Sequence, residues 1–258
     1  MKTIRSLAAL RSSLEGSKGP QVLVPTMGAL HAGHAALLDR ARKLAGRLGS
    51  VTTSIFVNPT QFGPNEDLSR YPRPFAKDQA LCRAHGVNLL FAPTPETLYP
   101  EGFSTWVHED SVSLGLCGGT RPGHFRGVCT VVLKLLLLTR ATHAVFGRKD
   151  FQQCAVIARL VRDLNLPVKL HFVDTVREPD GLALSSRNAY LTPEERREAP
   201  RIYAALVAAQ AAVARGESSA QRLRRTLERR LAAIPGGRVD YVAIVDGSTL
   251  QPVSNVTT

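Results

Sequence analysis

Apolar positions along the chain switch between two spacings, and the switching predicts strands alternating with helices. Residues 21–25 form a short β-rich apolar run that passes through Thr26-Met27-Gly28 into a helical pattern over 32–48, with apolar Ala36, Leu37, Ala41, Leu44 and Ala45. Residues 51–57 read as a second strand stopping at Asn58-Pro59, followed by a polar loop to Tyr71, a helix near 75–85 and a third strand at 88–92. A Gly- and Pro-rich irregular stretch comes next. The pattern then resumes with a helix around 128–140, a strand at 144–147, a helix over 150–164 and a strand at 168–173. Such alternation predicts an α/β fold, a parallel sheet with helices on both faces.

From about Thr175 the character changes. A polar loop leads to Thr192-Pro193-Glu194-Glu195, where Thr caps, Pro suits the first helical position and the acids suit the first turn. An Ala-rich helix to about Arg215, a basic helix over 218–233, the break Pro235-Gly236-Gly237 and a strand over 239–245 are expected after it. The reading is therefore two domains, 1–175 Rossmann-like and 176–258 smaller, mainly helical and α+β.

Composition removes several classes of protein. With 258 residues, 44% hydrophobic and 21% charged and without a repeat, the chain is neither disordered nor a solenoid. The longest apolar run, 131–138, is interrupted by Lys134 and is far shorter than the ~20 residues of a membrane span. The apolar patch at 7–10 is too brief for a secretory leader, so a cytoplasmic location is expected. Cys82, Cys117, Cys129 and Cys154 form no CxxC pair and read as reduced structural thiols. The net charge of +12 fits either a polyanion partner or a small phosphorylated ligand.

The candidate chemistry starts at Met27-Gly28-Ala29-Leu30-His31-Ala32-Gly33-His34, where two histidines flank a small-residue turn between strand and helix. Backbone amides and the helix dipole attract anions there, Gly33 permits close approach of a nucleotide, and imidazoles can donate to phosphate oxygens. Lys149-Asp150 likewise follows a strand and opens a helix, so that Lys149 can reach phosphate and Asp150 can bind ribose or cap the helix. Alone, each motif also fits an ordinary turn.

HxGH in this position is similar to the HIGH signature of nucleotidyltransferases and class I aminoacyl-tRNA synthetases. VPTMGALHAGH, SIFVNPTQFGPNEDLSRYPR, RPGHFRGV, KDFQQ and EPDGLALSSRN together resemble the pantothenate synthetase family over residues 22–192. The resemblance implies a Rossmann-like ATP-dependent ligase that joins pantoate to β-alanine through a pantoyl adenylate, with ATP and Mg²⁺, as a homodimer. No nucleic-acid or membrane partner is expected. By the same resemblance, Met27 to His34 embrace ATP with Gly147, Arg148, Lys149, Asp150 and Val176, and His34 donates a proton to the phosphates beside His31. Leu184, Ser185, Ser186 and Arg187 occupy the KMSKS-like phosphate loop. His31, His34, Lys149 and Arg187 are the implied catalytic set, and Gln61, Gln153, Asn58 and Phe62 the implied pantoate pocket.

Arg121, His124 and Arg126 would form a glycine-hinged gate, and Asp78 lies near the metal-associated carboxylates, although Lys77 beside it counts against a Mg²⁺ role; no metal ligand is assigned. The departures are Arg148 in place of Glu, Leu184 in place of Met, the unusual approach Leu116-Cys117-Gly118-Gly119, and an end at Thr258 that predicts a shortened small domain. Three other readings stay open: a nucleotidyltransferase acting on a phosphate, a relative that binds ligands without turnover, and an RNA-binding module. The RNA-binding reading rests on Arg222, Arg224, Arg225, Arg229 and Arg230, which flank Leu223, Leu227 and Leu231 as in a solvated amphipathic face.

Overall fold

The computed structural model describes residues 1–256, and the chain divides after Thr175 into two compact units. In the first, β1 (Lys2–Ile4) and α1 (Leu7–Leu14) precede β2 (Gln21–Thr26), α2 (Ala32–Ala45), β3 (Ser50–Ile55), α3 (Phe75–Ala84) and β4 (Leu89–Phe91). The short α4 (Pro95–Leu98) and α5 (Leu116–Thr120) lead to α6 (His124–Leu138), β5 (His143–Gly147), α7 (Phe151–Asp163) and β6 (Lys169–Val173). All six strands are parallel in the order β1-β4-β3-β2-β5-β6. The α/β expectation holds.

Chain direction explains where a ligand fits. From β2 the chain steps through β3 to β4 on one side, then returns to place β5 and β6 on the other. Between β2 and β5 the winding reverses, and a crevice opens at the carboxyl ends of strands at such a point. The 27–34 segment leaves β2 there and the 147–150 segment leaves β5 there. The strands beneath are rigid: Val22, Val24, Val51, Leu90 and Val145, each at most 1% exposed, pack with Leu38 and Ala41 of α2 into one core. Burial of successive residues is what a sheet covered on both faces requires, and in β3 it takes in Thr52, Thr53 and Ser54.

The pattern missed β1 and α1. Three residues are too few to display a strand period, and β1 forms by pairing with Leu89–Phe91 of β4. Helix α1 is capped by Ser6, whose Oγ accepts from the Ala9 amide at 3.3 Å. Helix α6 begins at His124 instead of 128, because Gly123 takes the left-handed conformation at its cap (φ 81°). All four cysteines are free, and burial pushes the thiols of Cys82, Cys129 and Cys154 up to about 11, 12 and 12.

On β5 and β6, His143 and His171 stack with ring centroids 5.3 Å apart. Burial lowers both pKa values; Lys169 adds to this for His143, and His143, Arg40 and Lys169 add to it for His171. Folded imidazoles with pKa below the unfolded value near 6.5 bind fewer protons than the unfolded chain, so stability is full above that pH and falls as pH drops below it. Denaturant midpoints measured from pH 7.5 to 5 are expected to decline, and the decline should be shallower in the His143→Gln/His171→Gln variant. An unchanged slope would show that the pair does not titrate on unfolding.

The second unit holds α8 (Pro193–Glu198), α9 (Arg201–Ala214) and α10 (Ala220–Ala232). Thr192 caps as the sequence predicts, and Glu195 makes the cap reciprocal by accepting from the Thr192 amide. The strand expected over 239–245 does not form. Val239 and Tyr241 are exposed, and Val245 alone makes a bridge, to Pro252. An alternating pattern supplies a face for a strand, but a strand also requires a neighbouring ladder. Leu223 and Leu227 are buried between flanking arginines of α10, two of which pair with Glu217 and Glu228. This is the amphipathic helix with a solvated basic face.

Candidate active site

Helix α2 opens with a cap made of two imidazoles. His31 Nδ1 accepts from the Gly33 amide at 3.1 Å, and His34 Nδ1 accepts from the His31 amide at 3.3 Å. This is a capping box with His in both places, and the rings lie 4.2 Å apart. Since each Nδ1 accepts, the hydrogen-bond network assigns the proton to Nε2 in both neutral rings. Two N–H donors are thereby left for a ligand. Burial, then the charges of His31 and Lys149, push His34 down to about 3, and burial followed by Lys149 lowers His31. In the free protein His34 thus presents a neutral ring with its Nε2–H as a hydrogen-bond donor.

The turn before the helix is anchored from α3. Asp78, 1% exposed, accepts from the Ala29 amide at 2.9 Å and the Leu30 amide at 2.7 Å. Gly28 (φ 86°) and Ala29 (φ 50°) are both left-handed, and a Cβ on Gly28 would stand 3.0 Å from Asp78 Oδ2. Two of the amides expected to cradle phosphate are thus already holding a carboxylate. The imidazole Nε2–H groups, by contrast, stay unengaged among the described residues. The fit of Mg²⁺ to protein ligands is poor: both Asp78 oxygens are engaged, and no cluster of three metal-binding side chains occurs among the described residues.

At the end of β5, Lys149 Nζ lies 2.9 Å from Asp150 Oδ1. The Asp150 side chain does not cap α7, contrary to one expectation; burial lowers the pKa of both His34 and His124, and the Asp150 charge opposes that lowering only weakly. Arg148, the departure that put the local field in question, turns to Asp174 at 3.1 Å. That exposed pair partly offsets the extra cation.

The third wall follows β3. Pro59–Gln61 is a 3₁₀ turn capped by Asn58. Gln61, 9% exposed, donates from Nε2 to Met27 Sδ at 3.2 Å and accepts on Oε1 from Asn58 Nδ2 at 3.1 Å. A thioether is a weak acceptor, so this N–H can be taken over by a ligand at little cost. Asn58 is 1% exposed with both side-chain polar atoms engaged, one of them in supporting Gln61. Phe62 meets Tyr71 edge to face at 5.9 Å. On α7, the side chain of half-buried Gln153 makes no hydrogen bond among the described residues, whereas that of its neighbour Gln152 donates to the carbonyls of Val112, Leu114 and Gly115.

The segment expected to act as a gate is fastened. Arg121 binds both oxygens of Glu66 and donates to the Gln61 carbonyl, and His124 Nδ1 is 2.8 Å from that same carbonyl. Gly127 is required for close approach, since a Cβ there would meet the Thr60 carbonyl oxygen at 2.5 Å. Arg126 lies over the Trp106 ring at 4.7 Å. Sequence reasoning missed the roles of Glu66, Tyr99 and Asp78, since each acts through contacts between distant positions.

In the second unit, Leu184 N donates to Val176 O, Ser185 Oγ accepts from the Arg187 amide, and Asn188 Nδ2 holds the Ala183 carbonyl. Arg177 stacks 3.7 Å from the Tyr203 ring centre and Arg196 pairs with Asp180. The Val176–Arg187 segment is an ordered hairpin that feeds a short 3₁₀ turn, Ser186–Tyr190.

A doubly wound sheet with HxGH at its switch point, Lys149 opposite and a glutamine beside it defines a nucleotide-binding α/β protein of the nucleotidyltransferase type. The family described as pantoate-beta-alanine ligase matches residues 1–258. A pantothenate synthetase of Desulfovibrio desulfuricans is 51% identical over 98% of this chain and 89% of its own, and one of Moorella thermoacetica is 48% identical over 99% and 90%. Pantothenate synthetase from Thermus thermophilus superposes with a TM-score of 0.93 at 49% identity, covering 100% of this chain and 91% of its own. Pantoate-beta-alanine ligase from Francisella tularensis, solved with beta-gamma ATP and beta-alanine, gives 0.76 at 34% identity over 90% and 86%. The chain belongs to the pantoate–β-alanine ligase family.

Proposed function

We propose that this protein condenses pantoate with β-alanine to pantothenate, using ATP as co-substrate and releasing AMP and pyrophosphate. The observation that carries the reading is the imidazole pair of α2, its Nε2–H donors free, within electrostatic reach of Lys149 at the sheet's switch point. A carboxylate oxygen of pantoate attacks the α-phosphorus and pyrophosphate departs; the β-alanine amine then attacks the acyl carbon and AMP departs. Neither step requires a protein nucleophile, so catalysis rests on positioning and on charge stabilisation. His31 and His34 donate to phosphate oxygens, Lys149 supplies positive charge, and Asp150 orients Lys149. Gly147, Ala32 and Gly33 shape the approach of the nucleotide.

Gln61, supported by Asn58, holds pantoate from one side, with Gln153 and Phe62 completing its pocket. Ser185, Ser186 and Arg187, with Val176 and Leu184 as their frame, are assigned the further phosphate contacts. Mg²⁺ is assigned to the triphosphate with which it enters, in keeping with its preference for phosphate and water ligands. A homodimer in the cytoplasm completes the reading. The test is pyrophosphate release from ATP, Mg²⁺ and pantoate with and without β-alanine, with mass detection of product. Pantothenate formed only with all three substrates is expected; ATP binding without pyrophosphate release would overturn the activity.

A further inference from the structure

We infer that Tyr99 is a positioning residue for pantoate, acting through Asn58 to hold the Gln61 amide with its N–H side toward the ligand. The inference rests on the assignment of Gln61 to the pantoate pocket. Tyr99 follows α4, far from the recognised motifs in sequence, yet its hydroxyl donates to Asn58 Oδ1 at 2.9 Å. The Thr60 hydroxyl donates to the same oxygen at 2.9 Å, and the Thr60 amide approaches it at 3.4 Å. On its other side Asn58 Nδ2 donates to the Gly127 carbonyl at 3.2 Å and to Gln61 Oε1 at 3.1 Å.

The fixed backbone groups, the Thr60 N–H and the Gly127 carbonyl, decide which way the Asn58 amide faces. A flipped amide would set donor against donor and acceptor against acceptor. With Asn58 so placed, Gln61 must accept from it on Oε1, and its Nε2 is the end left for Met27 or a ligand. The substrate group that meets Gln61 is therefore an acceptor, a carboxylate or hydroxyl oxygen. Tyr99 holds this arrangement in place from outside the pocket.

Its ring is itself held. Phe103 meets it edge to face at 5.1 Å, Trp106 stacks at 6.1 Å, and Lys134 Nζ lies 5.6 Å from its centre and 4.4 Å from that of Phe103. Burial raises the phenol pKa, so the hydroxyl stays protonated and able to donate. A lysine within the apolar run of α6 has no evident use in a core; here its ammonium caps the aromatic cluster that carries the phenol. Removal of the hydroxyl alone leaves these ring contacts intact, which makes the test a clean one.

Steady-state kinetics on the full chain would compare wild type, Tyr99→Phe, Gln61→Ala and the double variant. Tyr99→Phe is expected to raise the KM for pantoate about three- to tenfold, the size of one neutral hydrogen bond, with the KM values for ATP and β-alanine unchanged. In the Gln61→Ala background the same change should have no further effect on pantoate, the signature of action through Gln61. Thr60→Val, which removes the other hydroxyl from Asn58 Oδ1, supplies a second probe if Tyr99→Phe folds poorly, and a selective rise in pantoate KM is expected there as well. An unchanged pantoate KM in Tyr99→Phe, or a rise that persists in full without Gln61, would overturn the inference. If Gln61→Ala itself leaves pantoate KM unchanged, the underlying pocket assignment fails, and that result is distinct from the other two.

Discussion

Replacing His34 with alanine is expected to slow adenylate formation by about 10²–10⁴-fold while leaving the fold intact, measured as pyrophosphate release in a single turnover. His34 is half-buried and its Nδ1 contributes a single 3.3 Å bond to the His31 amide, so little stability depends on it. What the variant loses is an Nε2–H donor at the point where charge moves onto the departing pyrophosphate. The pKa, pushed down to about 3, separates two roles for the ring. A proton donor would require the imidazolium, and glutamine in its place would be as inactive as alanine. A hydrogen-bond donor is neutral, and His34→Gln, which keeps an N–H, should then recover part of the rate.

The same neutrality predicts kcat/KM that does not fall as pH rises from 6.5 to 8, the range in which an imidazolium-dependent rate would decay. Lys149→Ala should slow the step to a similar extent through loss of its charge. It should also raise the His34 pKa by a small step, because burial and then His31 do most of the lowering and Lys149 adds to them. Imidazole titration by NMR would read that shift directly. Near-wild-type rates in both alanine variants would remove these residues from the catalytic set.

Which parts of this structure could be read from sequence follows from the range of the interactions involved. Helix α2 is legible because it repeats a local period over many residues, with Leu37 and Ala41 on its core face, and strands β2 and β3 because each is a short β-rich run ended by a turn signal. The HxGH and Lys149-Asp150 segments are legible because a strand end followed by a helix start is a chemical setting in itself. Three kinds of feature were not. β1 exists only through its pairing with β4. The glycines of RPGHFRG look like a hinge until Gly127 is found against the Thr60 carbonyl, a packing requirement with no local signature. The Tyr99–Asn58 bond joins positions 41 apart, and nothing near Tyr99 marks it as part of the site. The strand expected over 239–245 failed for the converse reason, a local period without a ladder to join.

Asp78 combines these themes, and its replacement should have the second large effect. Asp78→Ala is expected to destabilise the protein by about 2–4 kcal/mol, since two buried amide donors lose a charged acceptor. At the scaling for a chain of this size that is a fall in Tm of roughly 5–10 °C. The loss should reach the chemistry too, because the Ala29 and Leu30 amides it holds belong to the turn that aims His31 and His34. Asp78→Asn keeps one acceptor but sets an NH₂ group against the other amide, so it should recover only part of the stability. Gly28→Ala strains the same turn from the opposite side: at φ 86° a Cβ would lie 3.0 Å from both Asp78 Oδ2 and Ile55 Cγ2. A carboxylate whose task was to bind Mg²⁺ would behave otherwise. Its alanine variant would keep its Tm and require more Mg²⁺ for half-maximal rate. Thermal unfolding and a Mg²⁺ titration on the same Asp78→Ala sample therefore decide between an anchor and a metal ligand, and two engaged oxygens at 2.9 and 2.7 Å predict the anchor.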